Sequence, residues 1–487
     1  MRKKIKRIIS VLILTVIIII SICKVSDLLQ RKGSDNRFAS FFAEKNQIDV
    51  FFLGSSHVRF GFFPMELWTD HGITSYNLGG DGNTIPVSYW MLVNALDYQV
   101  PKVVVMDVFD MWQGEKFHAR WGQAHESLDA FPLSIHKYQM VMDLIDDENI
   151  TDGDGNPIYD KRWEFLFNLS LYHTRWNSLV KADFDDRSTL ESNSAVWKGG
   201  YPVITIVPRD EHIYGKSDDL YYDETAKDYL ERMIQLCADK NIDLLLINTG
   251  YDCSDDAKYF ADSIDEIAEQ YGILYIDFTE QDIINFESDL CTSGINTHVN
   301  FSGAEKFTTF IGQTLVEQYQ LLDHREDEKY DSWWSDYQNF INSKVDYLRQ
   351  QTSLDLYLLL LADDDYNIMI ETVDTSIFSE GNNLHMFENL GIDMDKLNDN
   401  SNLLAIDMSS GEISYLSNDY ESGSKWESVL GEISLWEDTY GQQSDIGAYK
   451  IYLNDQEMYV ASLSESARIR LTVIRRESGE VVDVHLF

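Results

Sequence analysis

Three short stretches of this 487-residue chain carry residues suited to acyl-transfer chemistry. Residues 49–53 form an apolar run that ends in Gly54-Ser55-Ser56-His57. A serine at the tip of a buried strand, preceded by Gly, is placed to face a cleft as a nucleophile. The same serine in an ordinary strand-to-helix turn would simply cap the helix. The second stretch is Asn77-Leu78-Gly79-Gly80-Asp81-Gly82. Its glycines let backbone N–H groups come close to a ligand and hold an oxyanion. It lacks the G-x-x-x-x-G-K spacing of a phosphate-binding loop. The third runs from Asn296 through His298 and Asn300 to Gly303-Ala304, ahead of a helix expected over 305–316. A His just before the last helix of an α/β domain can serve a nucleophile at the first strand as general base, then acid. Each stretch alone is an ordinary turn or a structural His. All three in this order point to a serine–histidine acyl chemistry.

The elements that position them read as alternating strands and helices. Apolar runs at 49–53, 102–106, 243–247 and 272–276 are strand-like. Helical spacing over 225–239 and 257–270 lies between the later ones. Such alternation predicts a parallel sheet with helices on both faces, whose ligands bind beyond the carboxyl ends of the strands. Between 112 and 222 the alternation breaks, and this stretch, rich in Trp, His and Asp, is expected to be an insertion or lid. A charged segment at 323–331 and an aromatic helix from Trp333 to about Leu348 mark a boundary. The expected organisation is a membrane anchor at 1–33, a catalytic-type domain at 34–322 with its insertion, a helical linker at 323–353 and an α+β module at 354–487. In that module 368–372, 403–407, 449–453, 458–461 and 468–474 read as strands, and 384–390 as a helix. Asn454-Asp455 and Ser478-Gly479 are hairpin-turn signals.

Gly-Ser-Ser-His, Asn-x-Gly-Gly and His-x-Asn-x-x-Gly-Ala resemble the blocks of the SGNH/GDSL hydrolases. They are most similar to the membrane-anchored branch near the teichoic acid D-alanine transfer protein and the alginate O-acetyltransferases. Residues 171–179 and 198–201 also look like a segment of uncharacterised Gram-positive relatives. The resemblance covers about residues 45–320 and implies a flavodoxin-like three-layer α/β/α fold. It makes Ser56 the nucleophile, with the Ser56 and Gly79 N–H groups as oxyanion donors and His298 as the base. Two departures stand out. The family places an Asp two or three residues before the His, where this chain has Asn296 and Ile295. The Asn-containing block expected after 102–106 is replaced by Asp107-Val108-Phe109-Asp110. Asn296 could orient His298 as a neutral acceptor, or Asp110 or Asp289 could supply the carboxylate. The C-terminal hairpins at 449–461 and 468–487 faintly resemble, in permuted order, the interleukin-like inducer domain of glycan-associated proteins.

Composition narrows the partners. The chain has 39 Lys and Arg against 82 Asp and Glu, a net charge of −43. Eight of the basic residues but one of the acidic ones lie in residues 1–33, which leaves 31 against 81 for the rest. A body that acidic repels nucleic acid, so no nucleic-acid partner is expected. Apolar residues at 44% and aromatics at 13% support sizeable cores. The four Cys (Cys23, Cys237, Cys253, Cys291) form neither a disulfide framework nor a C-x-x-C pair.

Arg2, Lys3, Lys4, Lys6 and Arg7 precede an apolar run over 8–23, about 24 Å as helix. No A-x-A-like cleavage site follows, so an uncleaved single-pass anchor is expected, with the body extracytoplasmic by the positive-inside rule. Asp152-Gly153-Asp154-Gly155-Asn156 begins like a calcium loop but has Pro157 and Trp163 where Gly and Glu belong. His118, His125 and His136 match no metal-ligand spacing. No metal or other cofactor is expected. The function expected is a membrane-anchored extracytoplasmic acyl ester hydrolase or O-acyltransferase. Its substrate would be a cell-envelope polysaccharide or teichoic acid, with a membrane acyl-donor partner. The alternative is a catalytically inactive envelope polymer binding or assembly protein of the same fold. Protease added to intact cells should release the acidic body into the medium, read by blotting the supernatant; a body that stays protected overturns this topology.

Overall fold

The computed structural model describes residues 2–29, 38–111, 120–152, 154–167, 169–184, 196–209, 224–250, 255–293, 297–362, 365–372, 374–396, 403–416, 423–437, 449–461 and 468–487. The chain divides into two units. The first comprises Met1–Tyr201, His212–Asp282 and Phe307–Tyr337; the second comprises Pro202–Glu211, Ile283–Lys306 and Gln338–Phe487.

The first unit is built on five strands, β1 (Val50–Leu53), β2 (Ser75–Asn77), β3 (Val103–Asp107), β4 (Asp243–Asn248) and β5 (Leu274–Asp277). They pair in the order β2-β1-β3-β4-β5, every pair parallel. β1 and β3 are buried throughout, which is why they read as unbroken apolar runs rather than alternating ones. The helix Glu224–Lys240 buries Tyr229, Leu230, Met233, Ile234 and Cys237, the stripe its spacing predicts. β2 has no such signal. It is three residues long, defined by its pairing with Val50, Phe51 and Phe52. The chain leaves β1 for β2 on one side and returns to β3 on the other. The order of the sheet therefore reverses at β1 and β3, where open parallel sheets form their ligand crevice.

Residues 124–166 of the stretch expected as an insertion or lid contribute side chains to the main core. Ala124, Leu128, Phe131, Met140, Val141 and Phe165 join the same buried cluster as Phe51, Leu53 and Val104. Asp143 ties this segment to two helices. It accepts from Trp90 Nε1 at 2.7 Å, Tyr229 OH at 2.8 Å and Arg232 Nη2 at 2.9 Å. Its end returns to the sheet edge. Asn77 N–H donates to Lys198 O at 2.9 Å, and Tyr201 N–H to Arg59 O at 2.9 Å. Lys198 is buried, ion-paired with Asp336 and lying over the Trp333 ring.

The N-terminal helix Arg2–Leu29 contains a stretch, Lys3–Ser26, of mean hydropathy 2.9 that is long and apolar enough to cross a membrane. The 112–119 part of the insertion, with Trp112 and His118, lies outside the described residues, as do Cys253, Ile295 and Asn296.

The second unit carries two antiparallel sheets. One has β6 (Tyr366–Thr372), β7 (Leu403–Asp407), β8 (Glu412–Leu416), β13 (Ile469–Arg475) and β14 (Val481–Leu486), in the order β14-β13-β6-β7-β8. The other has β9 (Ser424–Ser428), β10 (Gly431–Glu437), β11 (Tyr449–Leu453) and β12 (Gln456–Ala461), in the order β12-β11-β10-β9. Met369, Leu403 and Ile474 of the first sheet share one core with Ile433, Leu435 and Ile451 of the second. Asn454 and Asp455 both have positive φ, 51° and 65°, and close the two-residue hairpin between β11 and β12. The helices Leu354–Leu359 and Asn383–Asn389 are short, so the module is more β than the α+β expectation.

Gly199 has φ +91°, and a Cβ there would stand 1.9 Å from Asn77 O. A backbone carbonyl cannot swing away like a side-chain tip. Gly199→Ala should therefore lower stability by about 3 kcal/mol, through overpacking and a disfavoured φ, read as a lower urea midpoint.

Candidate active site

Ser55 and Ser56 stand just past the carboxyl end of β1, at the reversal of the sheet. Ser55 has extended backbone and is buried, and its O accepts from Val58 N–H and Arg59 N–H, each at 3.2 Å. Ser56 opens the helix Ser56–Gly61 and is only half-buried. Of the two serines, Ser56 is the more exposed. Ser55 Oγ lies 3.3 Å from His57 Nδ1, and the His57 ring packs on Phe109 at 4.1 Å between centroids.

Gly54 makes this corner possible. Its φ is +150°, and a Cβ there would meet Val58 Cγ2 at 2.6 Å and Asp107 Cβ at 2.9 Å. Strand end, helix and the tip of β3 thus converge too tightly for any side chain.

The Gly-rich stretch lies under the same helix. Asn77, fully buried at the end of β2, donates from Nδ2 to Val58 O at 2.7 Å and to Phe62 O at 2.9 Å. Its Oδ1 accepts from Gly79 N–H at 2.9 Å. One amide thus binds the Ser56 helix to the Gly loop. The Gly79 N–H expected at the oxyanion is engaged by that amide. Gly79 must be Gly because a Cβ would stand 2.8 Å from Arg59 N and from Val58 Cγ1. Gly80 N–H donates to Gly54 O at 3.1 Å. Arg59 completes the attachment, pairing with Asp81 at 2.7 Å and lying over the Tyr201 ring. Asn77 and Arg59 were not singled out from sequence, although Asn77 opens the stretch that was.

Asp110 follows β3 in the short turn Phe109–Met111, buried, with Arg120 Nη1 at 3.3 Å. Asp107 ends β3 and is buried beside Gly54. It accepts from Thr249 Oγ1 at 2.9 Å, Phe109 N–H at 3.2 Å and Thr249 N–H at 3.3 Å. Burial pushes its carboxyl up to about 7; the hydrogen bonds pull down and the charge of Asp110 pushes further up.

Ser56, Gly79 and Asp110 belong to the first unit, Asp289 and His298 to the second. In the second unit Leu290 and Val299 form a single antiparallel bridge that carries His298. Cys291 N–H donates to His298 O at 2.9 Å. Thr292 Oγ1 accepts from His298 N–H at 2.8 Å and lies 3.0 Å from His298 Nδ1. A carboxylate at Nδ1 would fix the proton there and leave Nε2 as the base. A hydroxyl both donates and accepts, so it allows either tautomer.

Asp289 is fully buried and engaged elsewhere. It accepts from Ser302 Oγ at 2.9 Å and Asn285 N–H at 2.8 Å, and pairs with Lys306. These contacts brace the start of the helix Phe301–Tyr319. Asn300 does for this loop what Asn77 does for the other: its Nδ2 donates to Ser288 O at 2.7 Å and to Thr205 O at 3.1 Å. Thr292 escaped the sequence reading, since one Thr six residues before a His carries no recognisable signal.

The other sequence candidates have local partners. His125 Nδ1 lies 3.0 Å from both Asp129 oxygens, and His136 pairs with Asp97 at 2.8 Å. Asp152 Oδ1 accepts from Asn156 N–H at 2.8 Å and Asp154 N–H at 3.1 Å, a self-contained polar turn.

No protein-family model matches the chain, and no curated protein matches it. A solved structure, that of a presumed acylhydrolase from Bacteroides fragilis, is similar over 59% of this chain and 98% of its own. The identity is 11% and the TM-score 0.27, a likeness too slight to carry a function.

Folded, Asp107 keeps its proton up to about pH 7; unfolded, it loses it near 3.8. Stability should therefore fall as pH rises from about 4 to about 7 and then level off. In urea melts across that range, Asp107→Asn should flatten the decline and be at least as stable as the wild type at the alkaline end.

Proposed function

We propose that the chain is a membrane-anchored extracytoplasmic acyl ester hydrolase or O-acyltransferase of the SGNH type, its first unit a flavodoxin-like three-layer domain. The observation that carries this reading is the position of Ser56. It is the half-buried serine of a Gly-Ser-Ser corner, just beyond β1, at the reversal of a parallel sheet ordered β2-β1-β3-β4-β5. Ser56 Oγ attacks the acyl carbonyl, and His298 takes its proton. The Ser56 N–H holds the oxyanion, with Gly79 N–H as a second donor shared with Asn77. Collapse of the tetrahedral adduct expels the alcohol, which takes the proton from His298. Water or an acceptor hydroxyl then attacks the acyl-Ser56 ester by the reverse steps. The substrate we assign is an acylated cell-envelope polysaccharide or teichoic acid. An acyl donor presented by a membrane partner suits a body tethered beside the bilayer. His298 is assigned from the block it matches, and Asn296 remains its nearest neutral candidate in sequence.

One observation favours a second reading, a polymer-binding protein that has lost catalysis. Thr292 stands at His298 Nδ1, and Asp289 is engaged by Ser302 and Lys306. Loss of the orienting carboxylate costs a factor of about 10⁴ in serine proteases.

The test is turnover of small acetyl and aminoacyl esters by the full-length protein, with intact mass read for an acyl adduct. Ser56→Ala should abolish both, and His298→Ala should lower turnover by about 10³ or more. A folded wild type with neither turnover nor adduct points to the binding protein.

A further inference from the structure

The membrane-type helix is bare for most of its length and covered only at its end. None of residues 3–25 is buried, whereas Ser26 and Leu29 are, Leu29 at 4% exposure. What covers it is the segment that includes the helix Leu169–Tyr172 and the turns His173–Asn177 and Lys181–Phe184. Arg175 makes the junction. Its Nη1 donates to Leu29 O at 2.9 Å, among the last carbonyls of the helix. Its Nη2 pairs with the buried Asp183 at 2.7 Å. Asp183 in turn accepts from Val180 N–H at 2.8 Å. The turn 180–184 is thus fixed to the end of the helix.

The depth of that junction follows from helix geometry. A hydrocarbon core of about 30 Å takes about 20 residues at 1.5 Å each. Counted from Ile8, it ends near residue 27. Leu29 then lies about 3 Å beyond, among the headgroups. Whatever touches Leu29 must lie there too.

The surface at this level is unusual in two independent ways. Trp176, Phe184 and Val180 are 70%, 67% and 58% exposed, with Leu171 and Trp163 also outward. Its charge differs from the rest of the body as well. Residues 163–184 hold Arg175 and Lys181 against Glu164 and Asp183, a balance of zero within a body that carries 81 acids to 31 bases. Trp at the headgroup level, apolar side chains below it and Lys or Arg beside them are the composition of an interfacial segment.

We propose that residues 163–167 and 169–184 form a membrane-interface foot: a preformed platform that lays Trp176, Val180 and Phe184 into the outer leaflet beside the membrane helix. The occupant is the lipid interface rather than a protein, because the platform is joined to the end of the membrane helix and is charge-balanced where the rest of the body is strongly acidic. The inference rests on the anchor reading and is independent of the chemistry at Ser56.

The test uses the full-length chain in vesicles of phosphatidylcholine and phosphatidylglycerol with nitroxide-labelled lipids. Cys253→Ser with a fluorophore on native Cys23 reports the anchor. Trp176→Cys and Phe184→Cys, each with Cys23→Ser and Cys253→Ser, report the foot. Cys237 and Cys291 are buried and burial pushes both thiols up to about 12, so they do not label. The expected result is quenching at all three positions, with 176 and 184 losing more emission to a shallow nitroxide than to a deep one and resisting iodide. Quenching at 23 with 176 and 184 open to iodide overturns the foot and keeps the anchor; a protein partner then becomes the occupant. No quenching at any position overturns both.

Discussion

A single buried amide organises the region around Ser56. Asn77 donates to Val58 O and Phe62 O and accepts from Gly79 N–H, all inside 3 Å. Val58 O and Phe62 O lie along and just past the helix Ser56–Gly61, a helix too short to hold itself. Removing the amide would break three hydrogen bonds to backbone groups, each worth about 0.5–1.5 kcal/mol. No apolar contact could substitute, since the groups to be satisfied are backbone. Asn300 repeats the device in the second unit, holding Ser288 O and Thr205 O around the His298 loop. Each unit thus has one loop cemented by one Asn rather than by packing alone.

Much of this was legible in the residues, and the reasons differ by element. β1, β3 and β4 are fully or largely buried, so their apolar runs stand out without any partner in view. β2 could not be read, because Ser-Tyr-Asn is a strand only through its pairing with β1. In the second unit β8 and β9 were missed for a related reason. Both are half-exposed and short, and β9 alternates Ser, Lys, Trp and Glu with little apolar weight. In the stretch expected as an insertion, the apolar residues between 124 and 166 join the main core, and polar Asp143 helps to hold them there.

The site residues divide the same way. Ser56 was found because strand, glycine and serine are contiguous. Thr292 was not, because its relation to His298 exists only across the Leu290–Val299 bridge. Asp289 looked available in sequence and is instead enclosed by Ser302, Asn285 and Lys306. The Thr292 hydroxyl at Nδ1 is a weaker electrostatic partner for a protonated His298 than a carboxylate would be. This is a graded change in chemistry, and it bears on rate more than on the shape of the loop.

The contacts around the Ser56 helix also set an order in time. Asn77 reaches it from 19 and 15 residues away, through Val58 O and Phe62 O. Tyr201 N–H reaches Arg59 O from far later in the chain, and Thr308 Oγ1 accepts from Phe63 N–H across 245 residues. Contacts of that separation form late, because the intervening loop must close first. A chain emerging N-terminus first therefore carries its serine long before the serine has surroundings. The corner at Gly54 can be made early, but the contact that fixes Phe63 is finished only when the helix Phe301–Tyr319 arrives. A truncated or stalled product would display the motif and lack these contacts.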